Sequence, residues 1–306
     1  MEIAVRTSAL TKVYPLPGRR GSRIAVNDLS LEVPEGQVFA FLGPNGAGKT
    51  TTIKMLLGFT RPTRGSAELF GCDVSTPEAR LQVGYLPEQP YFHKFLSPNE
   101  ALSLHAGLLG LGRKEAKEQI SRALTAAGLD EHRQVRISKL SKGLMQRVGI
   151  AQALLGNPRL MIMDEPTSGL DPIGRREMKD LIMSLKNTGV TIFLSSHLLS
   201  EVEAVSDRVA ILSKGTLVSI GSPDEIKQTG DTVRICCDGM TDAALGGLSG
   251  LGADIDVRPD ADRVTIEVAS KDVFNAIRLL EAHDLRLVSV TPRQETLEDA
   301  FVRLAA

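Results

Sequence analysis

Hydrophobic and polar positions change period twice along this chain, and those changes outline its organisation. Over the first ~85 residues, short apolar or alternating runs at 3–5, 29–33, 37–42, 66–70 and 82–86 predict strands. Turn signals at Pro34, Gly36 and Pro62 punctuate them. From 98 to 156 the period lengthens, and 100–109, 113–127 and 144–155 predict helices. Strands and helices then alternate: strand 160–163, helix 173–186, strand 190–195, helix 199–205, and strands 209–212 and 217–220. Continuous apolar strands separated by helices predict a parallel sheet covered on both faces, interrupted by a helical subdomain at about 98–156.

The turn-rich segment 221–231 is read as a boundary between two domains, 1–225 and 231–306. Beyond it the predicted order is strand (232–237), helix (241–248), strand (253–257), strand (263–268), helix (271–282), strand (285–290), a small α+β unit of ferredoxin-like pattern. Glycines 246, 247, 250 and 252 weaken its first helix. A last helix starts at Thr296, with Asp299 placed to complete its cap and Leu297, Ala300, Phe301 and Leu304 as its apolar stripe.

Composition narrows the function classes. With 306 residues, 42% hydrophobic and 24% charged, the chain is an ordinary globular one. Its 36 basic and 37 acidic side chains leave a net charge of -1, which weighs against a nucleic-acid partner. Cys72, Cys236 and Cys237 suit unpaired thiols in a reduced compartment. The N-terminus lacks the apolar core of a signal peptide, and no apolar run approaches the ~20 residues that span a bilayer, so any membrane function is expected to come through a partner.

The chemistry concentrates in two places. Residues 43–50 read GPNGAGKT, matching G-x-x-x-x-G-K-[ST] between a strand and a helix. Glycines let the backbone wrap so that successive N–H groups and a helix N-terminus face phosphate oxygens. Gly43, Asn45, Gly46, Ala47, Gly48, Lys49, Thr50 and Thr51 are therefore the candidate nucleotide-binding residues. Lys49 is placed to reach the β- and γ-phosphates and Thr50 to ligate Mg²⁺. An apolar strand at 160–163 ends in Asp164 and Glu165. The first suits the metal, directly or through water. The second is one residue further on, placed to polarise an attacking water as general base.

Together these residues resemble the ATP-binding subunits of ABC transporters over about residues 2–225. Residues 140–146, LSKGLMQ, resemble the ABC signature, usually LSGGQ; Ser168 to Asp171 resemble the D-loop, and His197 the switch histidine. Tyr14 is positioned like the aromatic that stacks on adenine. The resemblance implies a P-loop ATPase core with an antiparallel β subdomain and a helical subdomain. It implies ATP hydrolysis with Mg²⁺, two subunits meeting head to tail with a homodimer favoured, and a separate membrane permease. Each subunit would offer Ser141 and Gly143 to its partner's γ-phosphate, with His197 holding that phosphate and Asp171 coupling the two sites. Its expected place is peripheral, on the cytoplasmic face of the plasma membrane.

Two departures stand out. Lys142 occupies the signature's first glycine and Leu144 its glutamine; either the phosphate contact survives through Ser141 and Gly143, or one site of a heterodimer is inactive. Alignment places Glu88 at the Q-loop position with Gln89 beside it, and Gln89 is taken as the catalytic and metal-facing residue. Residues 295–301, ETLEDAF, resemble the closing motif of the drug-resistance and type 2 exporter branch, which implies outward transport. A soluble ABC protein acting on ribosomes usually carries two cassettes, and this chain has one. A regulatory module that binds without turnover is disfavoured by Glu165 and His197, and a GTPase by the lack of an Asn-Lys-x-Asp motif.

Overall fold

The computed structural model describes residues 2–16, 21–227, 229–239, 241–251, 254–257 and 263–305. Arg19 and Arg20, whose sequence setting beside Gly18 and Gly21 reads as a solvated loop between strands, lie outside them. The chain divides into two compact units, residues 1–226 with 301–306, and residues 227–300. Residues 301–306, expected in the accessory domain, thus group with the first unit, where Arg303 Nη2 donates to the Ile226 carbonyl at 3.1 Å.

In chain order the first unit opens with β1 (Ile3–Pro15), β2 (Ser22–Pro34), β3 (Val38–Leu42), α1 (Lys49–Leu56), β4 (Arg64–Leu69), β5 (Cys72–Asp73) and β6 (Val83–Leu86). The helices α2 (Pro98–Leu108), α3 (Arg113–Ala126) and α4 (Lys142–Ala153) follow. Then come β7 (Leu160–Asp164), α5 (Pro172–Asn187), β8 (Thr191–Ser196), α6 (Leu199–Glu203), β9 (Arg208–Ser213), β10 (Thr216–Gly221) and α7 (Pro223–Ile226).

A six-stranded sheet of order β10-β9-β3-β8-β7-β6 forms the centre, parallel except at the β9/β10 edge. Every residue of β3, β7 and β8 is buried, as expected for strands covered on both faces. Phe39 and Phe193 sit in register on β3 and β8 with ring centres 5.5 Å apart. A second, antiparallel sheet runs β2-β1-β4-β5. Its first two strands are longer than the apolar pattern suggested, because bulges with Ala9 and Asp28 in left-handed conformation break the alternation and the outer halves are largely exposed.

The helical subdomain packs its own core around Leu102, Leu124, Leu129 and Val148. Ser97 and Glu100 close a reciprocal capping box at the start of α2. The signature helix α4 approaches β6 closely: a Cβ on Gly149 would lie 2.5 Å from Leu86 Cδ1.

The second unit contains β11 (Thr229–Asp238), α8 (Asp242–Gly250), β12 (Asp254–Val257), β13 (Arg263–Ala269), α9 (Val273–Ala282) and β14 (Arg286–Gln294), and α10 (Leu297–Ala305) begins within it. Its antiparallel order β12-β13-β11-β14 is the ferredoxin-like arrangement. One glycine of α8 has a packing reason: a Cβ on Gly247 would come 2.5 Å from Leu279 Cδ1 on α9, whereas Gly246 and Gly250 face open space. On α10, Leu297 and Ala300 are buried and Phe301 and Leu304 half-buried. All three cysteines are free.

Candidate functional site

The C-terminal ends of β3, β7 and β8 deliver the site. Leaving β3, the chain wraps through 43–48, where Ala47 N–H donates to the Pro44 carbonyl at 3.1 Å, and enters α1 at Lys49. Gly48 is obligatory: its φ is +108°, and a Cβ there would lie 2.5 Å from the Ala25 carbonyl oxygen.

Lys49 is almost wholly buried. Its ammonium donates to the Gly43 carbonyl at 2.6 Å and pairs with Glu165 Oε1 at 3.1 Å. The other oxygen of Glu165 meets His197 Nδ1 at 2.7 Å and accepts from the His197 N–H at 3.2 Å. Glu165 has a left-handed backbone, φ +50°, unusual for a glutamate and of the kind that gathers at working sites. Its N–H donates to Ser195 Oγ at 3.0 Å. That hydroxyl donates in turn to Asp164 Oδ1 at 2.6 Å, and Thr50 Oγ1 lies 3.4 Å from the same oxygen. Thr50 and Asp164 thus offer the hard oxygen donors that suit Mg²⁺.

These groups face a cleft of about 540 Å³ whose lining includes Tyr14, Leu16, Asn45, Gly46, Gly48, Glu165, Ser168 and His197. Lys49, Thr50 and Thr51 also line it, while Gly43 and Ala47 are buried in the loop's support. Tyr14 carries Lys12 Nζ 5.0 Å from its ring centre. Glu88, not Gln89, reaches this cleft. Gln146 of α4 donates to the Glu88 carbonyl at 3.1 Å, and Ser168 Oγ lies 3.4 Å from Glu88 Oε1, so two bonds hold Glu88 at the cleft. Gln89, expected to face the metal, is exposed and is not among the lining residues.

Ser141 and Asp171 occupy matching positions: Ser141 caps α4 by accepting from Leu144 N–H at 3.2 Å, and Asp171 caps α5 by accepting from Gly174 N–H at 2.9 Å. With Lys142, Gly143 and Gly169 they line a separate depression of about 350 Å³. A Cβ on Gly169 would lie 2.1 Å from Lys142 Nζ, so the departure at position 142 lays a cation over the D-loop.

Residues 26–168 match the family model described as ABC transporter. An ABC transporter ATP-binding protein of Nostoc is 39% identical over 97% of this chain and 88% of its own length. The bacitracin transport ATP-binding protein BcrA of Bacillus licheniformis is 42% identical over 74% of this chain and 72% of its own. The chain belongs to the ABC transporter ATP-binding proteins. Among solved structures, cbiO1 of Clostridium perfringens, part of an ABC transporter complex, superposes with a TM-score of 0.67 at 26% identity, over 74% of this chain and 91% of that one.

As an ABC transporter ATPase, the protein carries the fold and nucleotide chemistry its motifs implied. No described helix is long and apolar enough to cross a membrane. Sequence reasoning passed over Ser195, although it stands in register with Asp164 across β7 and β8. It also passed over Gln146 and Arg23, which sit outside or at the margin of the motifs.

Proposed function

We propose that this ATPase works as a head-to-tail dimer of two copies of the chain, binding two ATP molecules between them and driving export through a separate membrane permease. One observation carries the reading. The cleft holding Lys49 and Glu165 and the depression holding Ser141, Gly143 and Asp171 have no lining residue in common, so each chain offers two different half-sites. An isologous two-fold pairing, in which each chain's cleft meets its partner's depression, completes both at once. The helix N-terminus behind Ser141 suits the partner's γ-phosphate.

Incoming triphosphate competes with Glu165 for Lys49. Once Lys49 turns to phosphate, Glu165 is free to accept a proton from the water whose oxygen attacks the γ-phosphorus, while the bond to the bridging oxygen breaks and ADP leaves. His197 orients Glu165 through Nδ1. Mg²⁺ held at Thr50 and Asp164 would neutralise charge on the phosphate oxygens. Peripheral attachment to the cytoplasmic membrane face follows from the permease partner, and the bacitracin-transport relatives support export.

Mixing two inactive variants tests the pairing. Lys49→Ala subunits lack one half-site and Ser141→Arg subunits the other, so mixed dimers keep one complete site. Equal mixing should restore about a quarter of parental ATPase, since half the dimers are mixed and each has one working site. No recovery would refute a homodimer of this geometry.

A further inference from the structure

Arg23 lies in the nucleotide cleft, outside every motif that defines the family. We propose that its guanidinium binds the α- and β-phosphates of the bound nucleotide, a contact that rests on the cleft being the nucleotide site.

Three observations converge. Arg23 on β2 stands in register with Tyr14 on β1, at the end of the hairpin where pairing runs without a bulge from Val13 to Pro15. Residues directly opposite in an antiparallel pair project from the same face, so the aromatic and the cation enter the cleft side by side. Both line it.

The guanidinium also reaches the phosphate loop. A Cβ placed on Gly46 would lie 3.3 Å from Arg23 Nη2. The side chain therefore extends from the Tyr14 end toward the loop whose N–H groups cradle phosphate. In such a loop the backbone N–H groups hold the α- and β-phosphates, while the lysine, here Lys49, reaches the β- and γ-phosphates. A guanidinium beside Gly46 therefore meets the α- and β-phosphates.

Third, the charge is uncommitted. Arg23 is exposed and forms no ion pair among the described residues, whereas Arg6, Arg133, Arg147, Arg159 and Arg175 each hold a carboxylate. An unpaired guanidinium beside a phosphate loop can make the charge-assisted bonds arginine favours with phosphate, without first breaking others.

The test is equilibrium binding of Mg-ATP, Mg-ADP and adenosine to the full chain and to Arg23→Ala, Arg23→Lys and Lys49→Ala. Arg23→Ala should weaken ATP and ADP alike, by about tenfold, and leave adenosine unchanged. The loss should shrink as salt is raised and be partly recovered by Arg23→Lys. In turnover, KM should rise while kcat holds. Parental ADP affinity in Arg23→Ala, with Lys49→Ala impaired, would overturn the contact. So would a loss confined to ATP, or an equal loss for adenosine, which would mean Arg23 shapes the cleft. If Lys49→Ala bound all nucleotides like the parent, the nucleotide site itself would be misplaced. Because Arg23 is an exposed strand residue, its substitution leaves the core intact.

Discussion

Lys49 and Glu165 form an ion pair at 3.1 Å with both side chains at least nine-tenths buried. The proposed phosphate-binding cation and the proposed general base thus neutralise each other. Burying either charge alone would be costly, so the pair keeps the cleft electrostatically quiet until a triphosphate supplies a better partner for Lys49. Glu165→Gln removes the base while keeping size and hydrogen bonding. Hydrolysis should fall by about 10²- to 10⁴-fold with ATP affinity retained or raised, because Lys49 no longer has a carboxylate to leave. Steady-state turnover beside nucleotide binding checks both halves; a variant that turned over at the parental rate would remove Glu165 from the chemistry.

The two candidates for the Q-loop position separate cleanly. Glu88 lines the cleft beside Ser168, and Gln89 is not among the lining residues. Glu88→Ala should lower Mg²⁺-dependent turnover by at least tenfold, in the range of lost polar groups at a reacting centre, and Gln89→Ala should leave it within about twofold. Metal titrations of ATPase activity read the difference. The opposite ranking would restore Gln89 as the metal-facing residue.

Ser141 has two duties, and a pair of variants divides them. It caps α4, so Ser141→Ala should cost about 1 kcal/mol of unfolding free energy. Aspartate is an equally good cap, and Ser141→Asp should keep that stability. It would also set a negative charge where a partner's γ-phosphate is expected, so ATPase activity should remain lost while the melting temperature holds. Full activity in Ser141→Asp would show that no phosphate approaches this helix.

How far the sequence carried the reading depended on whether a residue's role was local. The strand-loop-helix around Lys49 was legible because glycine spacing, the strand before it and the helix after it are all near neighbours in sequence. The strand ending at Asp164 was legible for the same reason. Ser195 was not: its importance arises only when β7 and β8 pair in register and bring its hydroxyl 2.6 Å from Asp164. Glu88 and Gln89 are adjacent and both polar, and only the hydrogen bonds from Gln146 and Ser168 decide which enters the cleft. The outer halves of β1 and β2 escaped because exposed, bulged strands lose the alternation by which strands are recognised. Arg23 lies in just such a stretch.

Tyr85 on β6 provides a readout of the site's charge from outside the cleft. Partial burial, assisted by the negative charge of Asp164, pushes its phenol up to about 12 from an ordinary 10.0. Its ring also packs edge-on against Phe59, with centres 5.9 Å apart. Because the folded state disfavours the phenolate, the stabilisation is fully present below pH 10.0 and is lost as pH rises through about 12. The chain has three tyrosines, so phenolate absorbance should show a late step belonging to one of them, absent in Tyr85→Phe. The parent's unfolding free energy should also decline relative to that variant across the same interval. Asp164→Asn should move the late step only slightly downward, since burial is the larger cause. If that substitution instead brought the step back to the ordinary tyrosine range, the charge of Asp164 rather than burial would dominate, and the site's field would extend to β6 more strongly than the packing implies.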